Sequence, residues 1–140
     1  MYATVNDMIS RFGEEEMTRL SVADGDMPEA VQRARIEQAI NDASRLIDSY
    51  LRKRYATPVA PAPAELVRSA CLLARYDLAL GGDREPTEQM RLARKEIIGW
   101  LEVLAIGKAS LEGVVALASD SGARTSDRAP AFTTRAGGGL

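Results

Sequence analysis

Residues 36–51 read IEQAINDASRLIDSYL. Ile36, Ile40, Ala43, Ile47 and Tyr50 step along the chain by four, three, four and three residues, with Leu51 beside the stripe. That spacing puts one apolar face on an α-helix. Upstream, Asp26 can cap the helix, Pro28 is tolerated in a first turn, and Glu29 stands three residues after the cap. The predicted helix runs from Glu29 to Arg54, about 26 residues or roughly 39 Å. Its end, Arg52-Lys53-Arg54, places cations at the negative pole of the helix dipole.

Downstream, Pro58, Pro61 and Pro63 in ATPVAPAP remove backbone donors and hold their predecessors extended, so the helix cannot continue. The stretch predicts a short, stiff crossover. Pro63 then suits the first turn of a further helix to about Leu80, ahead of Gly81-Gly82. Leu66, Val67, Ala70, Cys71, Leu73, Ala74 and Leu78 give it a wide apolar face, and Leu72 and Tyr76 add apolar surface on the other side. A helix apolar around so much of its circumference belongs at the centre of a bundle or under a partner chain. Thr87 caps the last predicted helix, whose stripe is Met90, Ala93, Ile97, Leu101 and Leu104, widened by Trp100 and Ala105 and stopped at Gly107. At the N-terminus Thr4 and Asp7 have capping-box spacing ahead of Val5, Met8, Ile9 and Phe12, with Gly13 as the stop and Glu14–Leu20 as an added short turn. Nothing before Gly107 alternates with a period of two. The expected fold is all-α: a small bundle of about four helices with a long central helix over residues 1–107.

After Gly107 the pattern changes. Leu111, Val114, Val115 and Leu117 form one modest apolar cluster. From Ser119 to Leu140 the chain is mainly Ser, Gly, Ala, Thr and Arg, ending on Gly137-Gly138-Gly139. Such a segment buries too little to offset its ordering entropy, so residues 108–140 are expected to be an extended or flexible arm that becomes ordered on a partner.

The 140 residues are 46% hydrophobic and 27% charged, the balance of a globular domain. Eighteen basic against twenty acidic side chains leave a net charge of -2, against the basic excess usual in phosphate-gripping proteins. With no histidine, Ser/His and Cys/His triads and histidine metal sites are excluded. The single Cys71 excludes an intrachain disulfide and, set among Leu and Ala, reads as a small buried apolar residue rather than a nucleophile. Asp24 and Asp26 around Gly25 lack the later ligands of a calcium loop. Glu14-Glu15-Glu16 reads as a solvated face, and the terminal glycines lack the Lys and helix of a phosphate loop. No metal, cofactor or catalytic set assembles, so an enzyme is not expected. Nor is a signal peptide or membrane span: LVRSACLLARYDLAL and IIGWLEVLAI are both interrupted by charges. The last two helices do not suit a helix-turn-helix, because Ile97, Ile98, Trp100 and Leu101 stand where base-reading polar residues are needed.

The run INDASRLIDSYLRKRYATPVAPAPAELVRSACLLARYDL resembles the Mu-like tailed-phage neck proteins, the head–tail connector or head-completion adaptors. Asp42-Ala43, Ile47 to Leu51, Arg54-Tyr55, Pro58, a second proline, Leu66 and Ala74-Arg75-Tyr76 carry the likeness. The opening YATVNDMISRFGEEE and the stretch IIGWLEVLAIGKASL, through Ile98 to Leu111, extend it over most of residues 2–111. The resemblance implies a virion structural protein, assembled in the host cytoplasm, whose copies form a dodecameric ring beneath the portal after DNA packaging. Such a ring extends the DNA channel and offers a docking surface to the next neck or tail-completion protein. An acidic wall would let DNA pass without gripping it. The expected partners are further copies of the chain, the portal and the next neck component, without specific DNA binding.

The candidate interface residues are Arg52, Lys53, Arg54, Leu72, Tyr76, Trp100, Leu111, Val114, Val115, Leu117, Arg124, Arg128 and Arg135. Asp48, Arg54 and Arg75 are expected in structural contacts, either pairing with one another at the crossover or standing in solvent. The competing reading is a small helical DNA-binding or packaging-associated protein that works through Arg52, Lys53, Arg54 and the tail arginines.

Overall fold

The computed structural model describes residues 1–22, 30–81 and 84–118. Among them are five helices: α1 (Val5–Phe12), α2 (Glu14–Ser21), α3 (Arg33–Leu51), α4 (Ala64–Ala79) and α5 (Glu88–Ala105). The described residues contain no strand, only one isolated bridge between Gly81 and Arg84. The protein is all-α, with one more helix than the expected four.

The added helix is α2, predicted as a mere turn. Gly13, at φ +93°, ends α1 and caps α2, so a single residue reverses the chain between them. That left-handed backbone suits glycine, which has no Cβ to clash. Glu14, Glu15 and Glu16 then occupy the first turn of α2, where the dipole favours carboxylates. The α1 capping box forms as expected: the Asp7 amide donates to Thr4 Oγ1 at 3.1 Å, and the Thr4 amide donates to the Asp7 carboxylate at 2.9 Å.

The central helix is shorter than its sequence pattern. Residues 30–32 are not helical and α3 begins at Arg33 behind Gln32, whose amide donates to Ser21 Oγ at 2.9 Å. The expected cap at Asp26, with Pro28 and Glu29, lies outside the described residues, as do Asp24 and Gly25. At the other end the helix stops at Leu51 and residues 52–54 unwind into turns. Periodicity carries no information there, because Arg54 and Tyr55 are drawn to partners on α5 and beyond it. Pro63 caps α4 rather than entering its first turn. Thr87 caps α5 as expected, its Oγ1 accepting from the Met90 amide at 3.2 Å.

Helices α3, α4 and α5 pack mutually, and the α1–α2 pair closes over α3 and α4. This puts α4 at the centre, the position its wide apolar surface requires. Ile36, Ile40, Ile47, Leu51, Leu66, Ala70, Cys71, Leu101 and Leu104 are all buried in one core, joined by Met8 and Met17 from the N-terminal pair. No helix among the described residues is long and apolar enough to cross a membrane.

Candidate functional site

The region where the chain leaves the bundle is built around Arg54 and Tyr55. Arg54 Nη1 donates to the carbonyls of Leu104, at 2.9 Å, and Ala109, at 2.8 Å. The first belongs to the last turn of α5, where carbonyls lack intrahelical partners and a cation is favoured. The guanidinium also lies 5.3 Å from the centroid of the Tyr55 ring. Tyr55 is fully buried, and its hydroxyl accepts from the Leu111 amide at 3.0 Å. A buried tyrosine needs such a partner for its polar tip. Gly107, at φ +87°, turns the chain back beside Arg54, and the Leu117 amide closes the clasp on the Arg54 carbonyl at 2.7 Å. Two consecutive residues thus fix residues 107–117 against the end of α3.

A second clasp holds the crossover from the other side. The Tyr2 amide donates to Ser44 Oγ at 3.0 Å, and the Tyr2 hydroxyl donates to the Asp48 carboxylate while accepting from the Val59 amide at 2.9 Å. Burial, reinforced by the Asp48 hydrogen bond, pushes the Tyr2 hydroxyl above its ordinary titration range. The Thr57–Pro58 and Ala60–Pro61 peptide bonds are cis. Between this crossover and the turn at residues 112–115 runs a groove of about 490 Å³, lined by Pro58, Val59, Pro61, Pro63, Glu112, Val114 and Val115 among others. Val115 is 89% exposed, so the groove rim presents aliphatic surface to solvent, and Leu117 beyond it is 52% exposed.

The third polar contact joins α4 to the N-terminal helix pair. Arg75 on α4 grips Glu16 on α2 with two bonds, Nε to Oε2 at 2.5 Å and Nη2 to Oε1 at 3.0 Å. Its guanidinium lies 4.5 Å from the Phe12 ring centroid, so one side chain ties both short helices to the centre. Asp48, Arg54 and Arg75 therefore do not pair with one another. Each takes its own partner, and all three contacts are structural.

Cys71 is buried where α4 meets the rest of the core. Burial pushes its thiol up to about 11, with nearby Arg11 opposing the shift. A thiol held protonated in this way is a core residue, not a nucleophile. On α4, burial likewise raises the Asp77 carboxyl, countered by Arg94.

Comparison with known proteins places this architecture. The family described as "Bacteriophage Mu, Gp36" matches residues 2–128. The chain belongs to that family. It is 37% identical over 110 residues to "Gene product J" of Escherichia phage Mu, covering 76% of this chain and 73% of that protein. It is also 34% identical over 113 residues to "Mu-like prophage FluMu protein gp36" of Haemophilus influenzae, covering 79% and 75% respectively. The Mu-like phage resemblance read from the sequence holds.

In this Gp36 family member the expected interface residues have divergent surroundings. Arg52 is exposed and its Nε bonds the Asp48 carbonyl at 3.2 Å, closing the last turn of α3, and Lys53 is exposed beside it. Arg54 and the buried Leu111 are committed within the protomer, and Val114 packs partly on the core. Leu72 and Tyr76 are half-buried, the Tyr76 ring lying 5.1 Å from the Arg94 guanidinium. Trp100 is half-buried and lines a shallow pocket of about 300 Å³ with Glu65, Arg68 and Glu96. Arg124, Arg128 and Arg135 lie outside the described residues. Ile97 and Leu101, which argued against a recognition helix, are buried against α4 and α3. Sequence reasoning missed Tyr2, and it offered Arg54 as an interface residue or a partner of Asp48 and Arg75, not as a donor to the end of α5. The signal was an Arg-Tyr pair directly after a helix end, where a cation can reach another helix's carbonyls and an aromatic can enter the core.

Proposed function

We propose that this chain is a non-enzymatic virion protein, a head–tail adaptor whose copies form a ring under the portal. The ring extends the DNA channel and presents a docking surface to the next neck or tail component. Membership of a Mu phage family supports a phage role. The observation that carries the reading further is the exit of the chain: Arg54 and Tyr55 hold residues 107–117 through hydrogen bonds, then Val115 and Leu117 face solvent and lead into residues 119–140. An anchored root followed by a polar arm suits a protein that must grasp neighbours, since extended segments gain their partners' backbone bonds and grooves on assembly. The competing DNA-binding reading loses Arg54, whose charge is directed to carbonyls of its own chain.

DNA-filled heads from a phage lacking this gene, mixed with tails and the purified protein, test the proposal. The full chain is expected to restore plaque formation, and a chain ending at Ala118 is expected to stay soluble and helical but leave heads and tails unjoined. Normal titres with the truncated chain would overturn the role of the arm. Salt-sensitive retention of duplex DNA at physiological ionic strength would favour the competing reading.

A further inference from the structure

We propose that the groove between the proline crossover and the 112–115 turn is the seat of this chain's own residues 129–135, with Phe132 as the anchor. The groove is walled by Pro58, Pro61 and Pro63 on one side and by Val114 and Val115 on the other, with Glu112 at its edge. Its rim residue Val115 is the most exposed large aliphatic side chain among the described residues. Proline rings and aromatic rings pack flat on one another, the geometry that polyproline recognition exploits.

Three observations choose the occupant. First, the described chain ends at Ala118, one residue after the Leu117 amide is tied to the Arg54 carbonyl, so the arm departs beside the groove. The stretch from Ala118 to Phe132 spans up to about 45 Å when extended, ample to loop back. Second, Phe132 and Leu140 are the large apolar residues after Ala118, and Phe132 is the one set between two arginines, within Arg128-Ala-Pro-Ala-Phe-Thr-Thr-Arg135. Third, Arg128 and Arg135 bracket Phe132 with positive charge, opposite in sign to Glu112 at the groove.

Tethering favours the chain's own arm over a second copy. A short linker gives the arm an effective concentration in the millimolar range, so even a weak contact is populated in the free protomer. In the adaptor reading this deepens the role of the arm: the free protomer covers its own aliphatic rim, and assembly exchanges that contact for one with a neighbour. The contact itself is a property of the isolated chain, and it can fail while the adaptor role stands.

The test is photo-crosslinking of the full chain carrying Phe132→p-benzoylphenylalanine, in a mixture of isotopically light and heavy protein. Trypsin isolates one wall of the groove as the peptide 55–68 and the probe as the peptide 129–135, because Arg54, Arg68, Arg128 and Arg135 bound them. Adducts to 55–68 are expected within single molecules, several-fold above those from the same probe at Thr125. Val115→Asp, a change at an exposed position that the fold tolerates, is expected to lower that yield several-fold. Adducts joining light to heavy chains would give the groove to a second copy and overturn the proposal. A yield equal to that from Thr125, or one unmoved by Val115→Asp, would overturn it as well.

Discussion

The two ends of the described chain are fastened to the same three-helix centre by different means. The N-terminal end contributes Tyr2, Val5, Met8, Met17 and Leu20 to the buried core, and its ion pair and hydrogen bonds are added to that burial. The C-terminal end contributes only Leu111 fully, and it depends on Arg54, Tyr55 and a few backbone bonds. Apolar burial is non-directional and summed over many atoms, whereas a clasp of a few hydrogen bonds is lost as a unit when one member goes. The first arrangement makes the N-terminal pair part of the fold. The second makes the C-terminal segment a unit that can open while the bundle stays intact, which suits an end proposed to change partners.

The largest expected effect comes from removing the residue that serves both. Tyr55→Ala should cost about 3–5 kcal/mol in denaturant unfolding, because it empties a core position and also orphans the Leu111 amide. Tyr55→Phe should cost only about 1 kcal/mol and act locally, speeding amide exchange at Leu111 and Leu117 but not in α3 or α4. Equal acceleration throughout the protein would break the distinction between the two ends.

Alkaline pH probes the side sealed by the N-terminal pair. Well below pH 9 the Cys71 thiol is protonated in both states and stability is unaffected. Between about 9 and 11 the unfolded chain gives up that proton while the folded chain keeps it, so stability falls as pH rises. The loss should total about 2–3 kcal/mol, and Cys71→Ala should remove that part of the slope with only a mild effect at neutral pH. An identical slope in the variant would mean that the thiol is not sheltered by the core.

Arg54→Met comes next, expected to cost about 1–2 kcal/mol by taking the guanidinium donor from the Leu104 and Ala109 carbonyls, the first of which keeps the Gly107 amide. Its signature is loss of exchange protection at the Leu117 amide with α1 and α2 unchanged. The smallest effect is expected from Arg75→Ala. The pair is bidentate, but its side chains keep 25% and 18% of their exposure, so solvent screening holds the coupling with Glu16 to about 1 kcal/mol. A double-mutant cycle with Glu16→Gln measures it, and it should shrink with added salt.

Most of the helical framework was legible because its signals are local. The Thr4 and Thr87 caps, the Gly13 and Gly107 stops and the Ile36–Ile47 stripe all act between residues three or four apart, within reach of backbone geometry. The pattern misled where a local signal competed with a distant one: the helical spacing continues to Arg54, yet α3 ends at Leu51 because Arg54 and Tyr55 have partners elsewhere. The family resemblance was also legible, through the order and spacing of residues whose purpose was not apparent.

Those purposes belong to the tertiary structure. Arg54 and Leu104 are 50 residues apart in sequence, Tyr55 and Leu111 56, Tyr2 and Val59 57, and Arg75 and Glu16 59. No propensity or periodicity encodes such a pairing, since a guanidinium chooses whichever orphan carbonyl or carboxylate the packed helices bring within about 3 Å. The sequence by itself determined that this chain is a helical bundle with a polar tail, because burying apolar stripes is a matter of period. Only the packed chain decided that Arg54 and Tyr55 hold the root of that tail, because a hydrogen bond depends on where two distant groups come to rest.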